Sequence, residues 1–262
     1  MLVAGANVLV RTLLEPGCAA CGGLLERPLA SPVCAACWLA VTPVAAPACV
    51  RCGEPFGMPG AAGPECPRCR RRAPAFALAR SAGRYEGSLR RMVHVYKFER
   101  RRVLAVALAR LMREAGRDLL RGADAVVPVP LHPWRAFRRG FNQADDLAAA
   151  LGPPVWRVLR RVETGPPQSA LPAAHRHANV RGAFAVWPAS VRRRLPGGYR
   201  LRNAAVVLVD DVMTTGATLD ACSRALLDAG VRRVAALTLA RTAPAPPWQP
   251  PPPPRPSTAP RR

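Results

Sequence analysis

One stretch, Val206-Val207-Leu208-Val209-Asp210-Asp211-Val212-Met213-Thr214-Thr215-Gly216-Ala217-Thr218, constrains this chain more than any other. Four β-favouring apolar residues in a row, preceded by Ala204 and Ala205, predict a strand buried on both faces, the kind found inside a parallel sheet. Two carboxylates close the strand. Thr214, Thr215, Gly216, Ala217 and Thr218 then make a small hydroxyl-rich turn, and the periodicity of residues 219–229 predicts a helix that stops at Gly230. Such a turn offers backbone N–H groups, hydroxyls and the positive end of a helix dipole to one phosphate. Acids facing that phosphate would repel it, so they are expected to face a neighbouring polyol or the water shell of a divalent metal. A sugar phosphate satisfies all of these groups. An Asp-Asp pair before a helix can also simply cap it and offset its dipole, but capping needs one or two residues, whereas 13 consecutive positions fit the site.

Eight of the nine cysteines form four Cys-x-x-Cys pairs: Cys18 and Cys21, Cys34 and Cys37, Cys49 and Cys52, Cys66 and Cys69. One such turn converges two thiolates on an ion, and two turns complete a tetrahedral site, so four turns suit two zinc ions. Twelve residues separate the first two pairs and thirteen the last two, a regularity that favours sequential pairing into two ribbons; an interleaved pairing stays open. With every ligand position taken by cysteine, zinc here is expected to support folding or docking and not catalysis. Cys222 stands alone in the helix after the acidic turn and reads as a small buried apolar residue, not a nucleophile.

Half of the 262 residues are apolar, enough for a substantial core and a second small module. The formal charge of +23 is carried almost wholly by arginine, Lys97 being the only lysine. That charge suits a nucleic-acid or polyphosphate partner, and equally the coding bias of a GC-rich genome. Aromatic residues make up only 5% of the chain, which weighs against base stacking. Residues 1–14 hold a short apolar run without a basic leader or the length of a membrane span; they read as an amphipathic helix. The protein is therefore expected to be cytosolic, and a reducing compartment favours metal over disulfides.

Residues 89–98 and 103–115 predict helices, 155–162 a short strand and 233–240 a last core strand. Lys97, on the first helix, either points into a site or solvates a helix face. Ala125-Val126-Val127-Pro128-Val129-Pro130 predicts a second buried strand, followed through Arg135 by an irregular loop. Asn142 suits an N-cap, with Asp145 as its reciprocal partner and Asp146 beside it, in a helix running to about Leu151. Capping leaves the arginines unexplained. At the C-terminal end of a parallel strand, where ligands bind, Arg135, Arg138 and Arg139 suit pyrophosphate oxygens through charge-assisted bidentate bonds. His175 and His177, flanking Arg176, read as solvated side chains. Residues 186–203 read as a surface excursion before the central strand.

The acidic strand and its turn resemble the ribose-phosphate signature of type I phosphoribosyltransferases. This resemblance implies phosphoribosyl pyrophosphate bound with Mg2+: Asp210 and Asp211 on the ribose hydroxyls, residues 214–218 around the 5-phosphate. Pro128-Val129-Pro130-Leu131-His132-Pro133 with Arg139-Gly140-Phe141-Asn142-Gln143 narrows it to the ComF family, bacterial proteins associated with uptake of transforming DNA. The likeness extends to the cysteine region and to Thr164, Gln168, Leu171, Arg176, Asn179, Gly182 and Phe184, over roughly residues 10 to 241. It departs at Pro172 and His175, where a serine and an acidic residue are usual. It implies an α/β type I phosphoribosyltransferase-like parallel sheet flanked by helices, preceded by a double zinc ribbon. His132 joins the three arginines in a pyrophosphate loop, and Thr164, Gln168 and Arg176 lie in a loop that closes over the sugar phosphate. The expected division is a helix at 1–17, the double ribbon at 18–72, the transferase-like domain at 73–242 and a disordered, proline-rich basic tail at 243–262. Single-stranded DNA and a DNA-uptake helicase or other competence protein are the implied macromolecular partners. Three readings follow: a phosphoribosyltransferase of unknown acceptor, a single-strand-binding accessory, and an adaptor that keeps the fold as scaffold.

Overall fold

The computed structural model describes residues 7, 10, 12, 14–44, 46–56, 63–162, 182–189 and 199–242. Its strands are β1 (Ala79–Arg84), β2 (Ala125–Pro128), β3 (Leu159–Arg161), β4 (Phe184–Val186), β5 (Ala205–Met213) and β6 (Arg233–Arg241). Four of them form a parallel sheet in the order β1-β6-β5-β2, and β3 pairs antiparallel with β4. The expected acidic strand is therefore interior to the sheet. Its residues 205–209 are all buried, as a strand covered on both faces requires.

Strand alternation sends successive side chains to opposite faces. Val207 and Val209 of β5, with Leu237 and Leu239 of β6, pack under the helices Gly87–Phe98, Leu104–Ala115 and Gln143–Ala149. Val206 and Leu208, with Ala236, pack against the helix Ala217–Asp228, Leu201 and Phe184. The cysteine region divides in the same way. Cys18, Leu25, Val33 and Cys37 join the first core, and Cys49, Cys52, Cys66 and Cys69 join the second. Each half of the N-terminal module is thus fused to one face of the sheet.

The ribbons also cover the outer edge of β1: the Ala79 N–H donates to the Arg51 carbonyl at 2.6 Å and the Arg84 N–H to the Thr42 carbonyl at 2.8 Å. Two local expectations need correcting. Residues 133–139 form a helix, Pro133–Arg139, where an irregular loop was expected through Arg135. Proline loses nothing in a first helical turn, and His132 Nδ1 accepts the Trp134 N–H at 3.2 Å, satisfying a donor that the helix leaves free. The strand expected over 155–162 is confined to β3, with Val155 making only an isolated bridge to Val126. Residues 7, 10, 12 and 14 are helical, in keeping with an N-terminal helix; the proposed tail lies outside the described residues.

Candidate active site

β5 delivers its two carboxylates to the C-terminal edge of the sheet. The Asp211 carboxylate meets Lys97 Nζ at 2.8 Å, and both side chains are largely withdrawn from water. The helix Gly87–Phe98 places this lysine: Leu89, Met92, Val93 and Tyr96 bury its other face, leaving Lys97 beside the strand end. Asp210 Oδ1 accepts the Asp211 N–H at 2.8 Å. Loss of hydration, with the neighbouring Asp211 charge, pushes Asp210 up to about 7, against an opposing pull from Lys97. A carboxylate with that value loses its proton readily when a cation or hydroxyl donor arrives.

Beyond Met213 the chain turns through Thr214 and Thr215, both exposed, to Gly216, whose φ of +81° is left-handed. A side chain at 216 would also place its Cβ 2.7 Å from Met213 Cε. Glycine is required twice over. The helix Ala217–Asp228 starts immediately, and Thr215 Oγ1 accepts the Ala217 N–H at 3.4 Å. The remaining N–H groups of its first turn have no partner within the helix, which suits an anion. Cys222, fully buried behind the turn, fills the small apolar role expected of it, and burial with the nearby Asp210 charge raises its thiol well above the ordinary value.

β2 ends beside this edge, the Val129 N–H donating to the Val209 carbonyl at 2.9 Å. Asn142 locks the segment from both sides: its Nδ2 donates to the Val129 carbonyl at 3.1 Å and its Oδ1 accepts the Ala144 N–H at 3.2 Å, the expected N-cap. Asp145 and Asp146 serve arginines, Arg157 at 2.8 Å and Arg102 at 2.6 Å. Arg139 Nη1 donates to Gln143 Oε1 at 3.1 Å and its guanidinium lies 5.1 Å from the Phe98 ring centre; that of Arg138 lies 4.8 Å from Trp134. Arg135 belongs to the same short helix by its backbone. His132 stands between β2 and this helix.

The cysteines assemble as two clusters, Cys18, Cys21, Cys34 and Cys37, and Cys49, Cys52, Cys66 and Cys69, with the sulfurs of each within 4.8 Å of one another. Pairing is sequential. Zinc–sulfur bonds of about 2.3 Å in a tetrahedron give sulfur separations of about 3.8 Å; Cys21 to Cys34 is 3.9 Å and Cys52 to Cys66 is 3.7 Å. Main-chain donors aim at the first sulfur of each cluster, the Cys34 N–H at Cys18 (3.3 Å) and the Cys66 N–H at Cys49 (3.3 Å). Burial alone would raise both thiols, but these and neighbouring amides bring Cys18 down to about 6 and Cys49 to about 7, towards the thiolate that zinc requires.

Known proteins carry the same two parts. A double zinc ribbon domain model matches residues 9–74 and a phosphoribosyl transferase domain model residues 138–248. The chain is 35% identical to DNA utilization protein YhgH of Salmonella typhi over 207 residues, 74% of this chain and 84% of the relative. It is 34% identical to Competence protein F of Haemophilus influenzae over 186 residues, 67% and 78% of the two chains. The chain belongs to the ComF family. A solved orotate phosphoribosyltransferase from Aeropyrum pernix is similar at 19% identity and a TM-score of 0.32, over 57% of this chain and 76% of that one.

This ComF-family chain thus joins a double zinc ribbon, with two sites of four cysteines each, to a phosphoribosyltransferase-like parallel sheet. The residues of its expected closing loop, Thr164, Gln168 and Arg176, lie outside the described residues, as do His175 and His177. Two participants were beyond sequence reasoning. Lys97 has two readings until its pairing with Asp211 is seen. Arg241, at the end of β6, is 2% exposed and reaches into the second cysteine cluster; nothing in its neighbouring residues signals that contact.

Proposed function

We propose that this chain binds phosphoribosyl pyrophosphate with magnesium at the C-terminal edge of β5 and β2, in a role tied to DNA uptake during natural transformation. The observation that carries this reading is the sequence of groups along one strand end: Asp210 and Asp211, one held by Lys97, followed at once by the glycine turn and helix start. Asp210 and Asp211 take the ribose hydroxyls. Thr214, Thr215, Gly216, Ala217 and Thr218 enclose the 5-phosphate, and His132, Arg135, Arg138 and Arg139 take the pyrophosphate. Hard carboxylate oxygens suit Mg2+, which when bound neutralises pyrophosphate charge. Thr164, Gln168 and Arg176 close over the sugar and exclude water.

If the ligand reacts, an acceptor displaces pyrophosphate at the anomeric carbon, and the protein contributes placement and electrostatics to the positively charged sugar. After Leu239, Ala240 and Arg241 are both buried at the end of β6, which leaves these two residues unable to grip an acceptor base. An unusual acceptor, or binding without transfer, fits this better than a nucleobase. The division at 1–17, 18–72, 73–242 and 243–262 is kept as part of the proposal, and no helix among the described residues is long and apolar enough to cross a membrane. A cytoplasmic protein is the corresponding reading.

Calorimetric titration of the zinc-loaded protein with phosphoribosyl pyrophosphate, with and without Mg2+, tests it. Micromolar binding, about 8 kcal/mol, that disappears in the Asp210→Asn/Asp211→Asn double variant is the expected result. Equal affinity in the variant would overturn the assignment.

A second reading, single-stranded DNA binding, is favoured by one surface feature. The aromatics are few, but Phe98, Trp134 and Phe137 are exposed by 59%, 60% and 87% and gather with Arg138, Arg139 and Arg100, whose Nη2 donates to the Arg138 carbonyl at 2.7 Å. Arginine interleaved with exposed rings suits unpaired bases and their phosphates. Oligonucleotide anisotropy should show affinity falling steeply with salt, with a smaller salt slope in Arg138→Ala. A DNA-uptake helicase or another competence protein docking on the ribbons is the adaptor alternative, and would be the reading left if both ligands failed to bind.

A further inference from the structure

Behind the glycine turn lies the second cysteine cluster, and one side chain spans the gap. Arg241 enters from β6 with 2% exposure. Its Nη1 donates to the Cys52 carbonyl at 2.7 Å, and its Nη2 meets Glu54 Oε2 at 3.1 Å and Cys52 Sγ at 3.7 Å. A guanidinium so removed from water needs anions around it. Four thiolates on a divalent zinc carry a net charge of −2, Glu54 adds −1, and Arg241 with Arg68, which also bonds Glu54 and reaches Cys52 Sγ at 3.8 Å, supplies +2. Glu54 alone, one carboxylate shared by both guanidiniums, balances half of that positive charge. The thiolates that a metal holds in this ribbon therefore supply the rest of the counter-charge around Arg241.

On its other side Nη1 meets Met213 Sδ at 3.0 Å. Met213, 2% exposed, ends the acidic strand, and its methyl group fills the space beneath Gly216. The same unit is clamped by the Ala75 N–H, which donates to Asp220 of the following helix at 2.6 Å, and by the Thr242 N–H on the Met213 carbonyl at 3.1 Å. The first cluster is tied differently. Its Cys21 is exposed, and the hydrogen bond from the domain to its Cys37 carbonyl is a neutral one, donated by Ser88 Oγ at 2.8 Å.

We propose that Arg241 is a positioning residue that couples the Cys49, Cys52, Cys66 and Cys69 ribbon to the turn at Gly216, so that metal in this ribbon and phosphate at the turn stabilise one another. This rests on the reading of residues 214–218 as a phosphate-binding turn. Linkage makes the effect reciprocal: a ligand that fixes the turn fixes Met213 and Arg241, and so retards loss of metal from one ribbon of the two.

The test uses the full chain loaded with Co2+, whose d–d absorption reports the thiolate environment, titrated with phosphoribosyl pyrophosphate and Mg2+. Ligand should shift the absorption of part of the bound cobalt and slow its extraction by a chelator about tenfold, the scale of an ordinary coupling between sites. In Arg241→Met both responses should vanish while ligand still binds more weakly, and Arg241→Lys should restore part of them, which a merely structural residue would not do. Ligand binding to the parent protein with spectrum and extraction rate unmoved would overturn the coupling and leave the binding reading intact. If the parent protein binds no ligand, that reading falls, and coupling is judged by hydrogen exchange over residues 212–219. Faster exchange in Arg241→Met, or in Glu54→Gln should the first variant not fold, supports it; unchanged exchange overturns it.

Discussion

Asp211 and Lys97 form a pair whose members protect each other: either charge alone at that depth would lack both water and a partner. Lys97→Met should therefore cost about 1–3 kcal/mol, with part of the loss recovered when Asp211→Asn is added, measured as a double-mutant cycle by denaturant unfolding. Asp210 behaves differently, because its value of about 7 stands above the ordinary 3.8. Between those values the folded chain holds the proton more tightly than the unfolded chain, so this group makes stability fall as pH rises from about 4 to about 7. The groups bearing on it are Asp211 and Lys97, with Cys222 close enough to feel its charge. Asp210→Asn should accordingly raise the melting temperature at pH 8 and have little effect near pH 4. Magnesium-dependent binding by the parent protein should strengthen as pH rises through about 7. At this scale the sequence displayed the acids and the cysteines, because adjacency and short spacing are local. Lys97 against Asp211 and Arg241 against Glu54 are contacts between distant segments, and no local pattern encodes them.

The turn, strand and helix around Gly216 work as one element. Gly216→Ala must force a side chain into a left-handed residue and against the Met213 methyl group. A loss of about 1–2 kcal/mol is expected, seen as a melting temperature lower by a few degrees, together with a larger loss of phosphate binding. β2, β5 and β6 were legible since parallel strands covered on both faces read as continuous apolar runs. β1, Ala-Arg-Ser-Ala-Gly-Arg, has no such run, and its burial alternates residue by residue. It is a strand because β6 pairs with one edge and the ribbons cover the other, which is tertiary information. The helix Pro133–Arg139 escaped for a related reason: proline signals a break or a first turn, and its neighbours decide which.

For the whole molecule, the two ribbons are part of the sheet's own enclosure, since each contributes to a different one of the two cores. The protein should contain two zinc ions per chain by elemental analysis. Strong chelation should lower its melting temperature and uncover β1, whose outer N–H groups now meet Arg51 and Thr42. An open strand edge recruits other strands, so light scattering should rise on chelation. The domain order and the two metal sites were readable from sequence; that the sites sit on opposite faces was not, because the chain between them reveals length and not direction.

The bond from Arg241 to Cys52 spans 189 residues of chain. At a synthesis rate of about 5–20 residues per second, Cys52 is made about 10–40 s before its arginine. The nascent ribbon therefore meets cellular zinc while its excess negative charge still lacks its last partner. On the coupling proposed for Arg241, a truncated product ending before β6 should lose this ion faster than the full chain.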